Sequence, residues 1–171
     1  MTGRSVSGTV PARHGGWAVV LLLLLFGNAD GRIALAQAGL VQFETGQLSI
    51  ETAAGDAHEI EIELAEAPEQ LAQGLMFRRE MPADHGMLFV FRPLRVVTMW
   101  MKNTYIPLDM LFIDRDGQIV RIAERTIPLS LRTISSESPV RAVLELNAGT
   151  AQRLGIRPGD RIRHPAFGQA P

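Results

Sequence analysis

The chain has 171 residues, 46% of them hydrophobic and 20% charged, with 17 basic against 18 acidic side chains. This is the composition of a folded globular protein rather than a disordered tail, and the length suits one domain with an appendage. The absence of cysteine excludes disulfides, thiol catalysis, thiolate metal sites and lipid attachment through a cysteine.

The first predicted element is a signal peptide over residues 1–36. Arg4, Arg13 and His14 precede the uncharged run Trp17 to Phe26, which is shorter than the roughly 20 residues that span a bilayer as a helix. An uncleaved anchor is the alternative. Ala34-Leu35-Ala36-Gln37-Ala38 offers small-x-small cleavage after Ala36 or Ala38, with an earlier site after Ala29. The expected location is periplasmic or secreted, with membrane contact only through the signal peptide before cleavage. Removing 1–36 leaves 14 basic and 17 acidic residues, an acidic balance that argues against a nucleic-acid partner.

A flexible lead is expected over 37–47, then one domain over 48–164 and a tail over 165–171. Leu48 to Thr52 alternates weakly, and a turn at Ala54-Gly55-Asp56 leads to His58–Ala65. There Ile60, Ile62 and Leu64 alternate with Glu59, Glu61 and Glu63, the period of a strand with one wet face. Pro68 suits the first turn of a helix continuing over Glu69 to Arg79. Met87 to Phe91 reads as a buried central strand, followed by strands at Val96 to Lys102, Leu108 to Asp114 and Gln118 to Ala123. Asp116-Gly117 marks a hairpin whose two central residues take positive φ. Thr126 to Pro139, rich in Ser and Pro, reads as a surface connection. Arg141 to Leu146 is a strand, Thr150 to Leu154 a short helix, Arg157-Pro158-Gly159-Asp160 a turn, and Arg161 to Arg163 a closing strand. The fold class is mainly β: a small antiparallel barrel or sandwich of about eight short strands with one or two covering helices. A ferredoxin-like α+β fold is the alternative.

The residues that could carry chemistry lie late in this series. On a strand, Thr98, Trp100 and Lys102 share one face and Val97, Met99 and Met101 the other. Trp100 with Lys102 and Asn103 makes a ligand platform, or Trp100 plugs the barrel while Lys102 reaches water. If Val96–Lys102 and Leu108–Asp114 form a hairpin, Lys102 and Asp109 meet at its feet, with Trp100 beneath and Asn103 or Thr104 bonded to loop backbone. Asp109 and Glu145 could form an acid and base pair for glycan chemistry, provided both reach one cleft. His58, His85 and His164 stand at no metal-binding spacing, and no nucleophile elbow or phosphate loop is present. No catalytic residue, metal or cofactor is expected.

The blocks AQGLMFR at Ala72, GMLFVF at Gly86, WMKNT at Trp100, PLDMLFID at Pro107, AVLEL at Ala142 and GIRPGD at Gly155 together resemble the domain of unknown function 192 family over Leu48–His164. The resemblance implies a compact, mainly β domain, often behind a bacterial signal peptide, with no assigned mechanism. It places the family's polar signature on Arg78, Trp100, Lys102, Asn103, Thr104, Asp109 and Glu145. Relatives commonly carry an arginine where this chain has Leu71, which would leave a neighbouring carboxylate without its partner unless Arg78 or Arg79 substitutes. The functional expectation is a cell-envelope binding or accessory module for a small polar ligand or an envelope protein. A carboxylate-based hydrolase or lyase and a ligand-free structural domain are the alternatives.

Overall fold

The computed structural model describes residues 41–168; the expected signal peptide and its cleavage sites lie outside them. Seven strands form one curled sheet, a half-barrel: β1 (Glu44–Glu51), β2 (Ala57–Ala65), β3 (His85–Met99), β4 (Leu108–Ile113), β5 (Ile119–Ala123), β6 (Ile134–Asn147) and β7 (Arg161–Arg163). Two short helices, α1 (Pro68–Gln73) and α2 (Thr150–Leu154), accompany them. The sheet order is β5-β4-β6-β3-β2-β1-β7.

The mainly β expectation holds, with differences that matter for the site. Strand β1 begins at Glu44, inside the segment read as a flexible lead, because its whole length pairs with β2 from Glu44↔Leu64 to Glu51↔Ala57. Residues Pro165–Phe167, read as tail, form a 3-10 turn with Phe167 buried. One pairing is parallel, β2 with β3, reached through the crossover that contains α1. Helix α1 stops at Gln73 rather than Arg79, since Gly74 turns the chain out at φ 48°.

The Val96 strand is no separate element. It continues β3, and the register shift between Val90 and Arg95 absorbs the Arg92-Pro93-Leu94 interruption. Its partner is the first half of β6, so Ile134–Pro139 is strand rather than loop. The hydroxyl of Ser136 accepts from Val97 N–H and donates to Ser138 carbonyl, at 2.9 and 2.7 Å, bridging the second irregularity in the ladder. At the β4–β5 turn only Gly117 has positive φ; Asp114 Oδ1 accepts from Asp116 N and Gln118 N instead.

Both faces of the sheet are apolar. Leu48, Ile60, Ile62, Leu88, Leu111, Leu144 and Ile162 form an inner layer, closed by Ala151 of α2. Met87, Phe89, Met110, Phe112 and Val143 form an outer layer, covered by Leu75 and Met101 from the connections. Each such side chain contributes about 1.5–3 kcal/mol on burial, which is how a cysteine-free domain holds together. The outer cover positions the candidate site.

Candidate functional site

The cover consists of α1 with the turn behind it and the segment from Trp100 to Tyr105. They are tied at their lip: Phe77 N–H donates to Asn103 carbonyl at 2.8 Å, and both residues hold left-handed φ, 67° and 56°. Non-glycine residues in that region cost energy, and such strain gathers at functional positions. The rings of Phe77 and Tyr105 meet edge to face at 6.3 Å.

Beneath this lip lies a cavity of about 60 Å³, bordered by Leu71, Met76, Phe89, Trp100, Thr104 and Glu145. Trp100 is 46% exposed, a lid ring rather than a core plug, whereas Thr104 and Glu145 are 5% and 4% exposed. The Thr104 hydroxyl donates to Lys102 carbonyl at 3.3 Å. Glu145 makes no side-chain hydrogen bond or ion pair with the described residues. Burial alone lifts its pKa from the ordinary 4.5 to about 8, so it is a neutral carboxylic acid at pH 7.

The other sequence-flagged residues sit elsewhere. Lys102 places Nζ 4.9 Å from the centroid of the Trp100 ring, a cation–π contact on the outside of the lid. Asn103 reaches Met76 Sδ at 3.8 Å from Nδ2, bracing the lip. Arg78 pairs with Glu63 and lies over the Phe43 ring at 5.7 Å, so the Glu face of β2 is partly committed to ion pairs. Among the described residues no group of His, Asp or Glu is arranged to hold a metal ion.

Two expectations fail here. Lys102 and Asp109 do not meet, because β4 pairs with β5 and β6 and not with the Val96 stretch. Asp109 is fully buried and accepts from Arg125 N and Ala151 N, both at 2.9 Å. Nor do Asp109 and Glu145 share a cleft. On the paired strands Asp109 stands opposite Leu146 and Glu145 opposite Met110. Partners share a face and neighbours alternate, so Asp109 joins the inner layer and Glu145 the outer one. That removes the acid and base pair.

Leu71, which the sequence reading ties to a carboxylate left without its partner, borders this cavity together with Glu145, but that reading missed the apolar walls, Met76 and Phe89. The one signal for them was Gly74: a Cβ there would stand 2.8 Å from Phe89 Cζ, which is why helix and sheet approach closely enough to enclose the cavity.

The family model DUF192, described as an uncharacterized ACR, matches residues 49–164. A crystal structure of a proposed transcription regulator from Sinorhizobium meliloti 1021 is 52% identical, with 75% of this chain and 99% of that one covered and a TM-score of 0.73. A protein of unknown function from Novosphingobium aromaticivorans DSM 12444 is 35% identical, with 80% and 100% covered and a TM-score of 0.69. No curated protein matches.

Proposed function

The chain belongs to the DUF192 family, which has no assigned activity, and from its own site we propose that it is an exported binding or accessory module for a small, uncharged polar ligand. The observation that carries this reading is Glu145: a buried carboxyl bordering a cavity beside Trp100 and Thr104 with no partner among the described residues, whose burial raises its pKa to about 8 and so favours the neutral acid at pH 7. A protonated carboxyl both donates and accepts one hydrogen bond, which suits a hydroxyl or amide and repels nothing. The cavity of about 60 Å³ holds only the tip of such a ligand. The body would lie against Trp100, sharing the ring with the Lys102 ammonium or displacing it.

Export rests on the apolar run and the small residues after it, and the envelope setting follows from export. Transcription regulation, the role named for the Sinorhizobium protein, finds little support in a chain whose basic and acidic residues nearly balance. A thermal-shift series over neutral sugars, peptidoglycan fragments and anions tests the reading. A true ligand at 100 times its Kd adds about 2.7 kcal/mol, and Trp100→Ala or Glu145→Ala abolishes the gain. If no neutral compound shifts the melting temperature and Trp100→Ala only destabilises, the domain is structural and the binding reading fails.

A further inference from the structure

A second, larger concavity lies on the same outer side of the sheet, away from Glu145. We propose that it binds a small organic acid, with Arg121 receiving the carboxylate. Arg121 stands on the edge strand β5 opposite Phe112, and its guanidinium carbon lies 5.3 Å from the centroid of that ring. Its Nε is 3.0 Å from Glu137 Oε1. Its Nη1 is buried against the protein with no hydrogen-bond partner among the described residues, while the side chain as a whole is 31% exposed and lines the groove. The guanidinium is held from beneath by stacking on Phe112 and engaged on its exposed side by one solvent-exposed ion pair, so it can receive a ligand carboxylate where Glu137 now sits.

The surroundings fit a carboxylate with an apolar body. The groove measures about 540 Å³; Met101, Ile127 and Ile134 supply apolar wall, and of the charged lining residues Arg121, Arg125 and Arg132 are basic while Glu124 and Glu137 are acidic. That volume lies in the range of small-molecule sites, roughly 300–1,000 Å³. Its walls are held in shape from inside: buried Asp109 fixes the backbone of Arg125 at left-handed φ 50°, and Glu137 is left-handed as well, at 64°. Such strained residues mark functional loops. Glu137 is the natural competitor. Its side chain is 70% exposed, so its pairing with Arg121 is weak and exchangeable, and a ligand carboxylate takes its place.

The test is isothermal titration of the full-length protein with butyrate and hexanoate, with inorganic phosphate as a separate arm. Hexanoate should bind more tightly than butyrate, because Met101, Ile127 and Ile134 offer apolar surface to the longer chain. Arg121→Gln should weaken hexanoate by at least about tenfold, and Arg121→Lys should fall between, since an ammonium cannot form the two-pronged contact. Glu137→Gln should tighten binding by removing the competing carboxylate, an effect a merely structural ion pair would not produce. It also serves where Arg121→Gln fails to fold. Trp100→Ala should leave hexanoate binding unchanged, which separates this site from the Glu145 cavity. No carboxylate binding at millimolar concentration, equal binding by wild type and Arg121→Gln, or weaker binding by Glu137→Gln overturns the proposal. Preference for phosphate over hexanoate overturns the ligand class.

Discussion

Asp109 and Glu145 are two carboxyl groups on neighbouring strands with opposite fates. Asp109 caps two backbone N–H groups, one before the 126–133 connection and one in α2, so its removal strands both donors in the interior. Asp109→Ala should cost about 2–5 kcal/mol, read by chemical denaturation; a loss under about 1 kcal/mol would show that those bonds are dispensable. Glu145 makes no such bond with the described residues. Because its folded pKa is raised, the folded state binds a proton that the unfolded state has lost between 4.5 and about 8. Stability is therefore full below 4.5 and falls as pH climbs through that window, by about 1.4 kcal/mol per unit. Leu71 borders the same cavity, so Leu71→Arg should pair with Glu145, lower its pKa and flatten that fall. Melting curves across the window check this, and an unchanged slope contradicts it.

At the scale of elements, the cavity depends on where α1 ends. Gly74 both adopts a left-handed turn and sits against the Phe89 ring. Gly74→Ala should cost about 1–3 kcal/mol and disturb the Trp100 environment, seen as a lowered melting temperature with an altered tryptophan signal; a neutral substitution would mean the approach is looser. The strands with plain alternation or continuous apolar runs, β2, β4 and the start of β3, were legible because one side-chain pattern maps onto one pairing. The long strands β3 and β6 were not, since each carries an interruption. Arg92-Pro93-Leu94 and the serines around Glu137 look like loops locally, yet tertiary pairing carries the strand through them as bulges, and Ser136 supplies the missing ladder contacts. This misreading also produced the false Lys102–Asp109 hairpin. With β6 reaching back to Ile134, it occupies the position beside the Val96 stretch that β4 was expected to take.

For the whole molecule, composition and absence of cysteine indicated a single burial-stabilised domain. Of the site, Trp100, Thr104 and Glu145 were recognisable as candidates, but their convergence was not, because it depends on a parallel crossover that no short-range pattern announces. The export reading makes its own prediction: protein recovered from outside the bacterial cytoplasm begins at Gln37, Gly39 or Asp30, as intact mass reports. A chain retained whole inside the cell would contradict it.

The central claim is that a neutral acid faces the ligand cavity. The most direct measurement is carbon-13 NMR of the Glu145 carboxyl through a pH titration, assigned by its loss in Glu145→Gln. A midpoint near 8, well above 4.5, is the predicted result. A midpoint in the ordinary glutamate range would show an ionised, solvated carboxylate, and the proposed site for an uncharged ligand would be wrong.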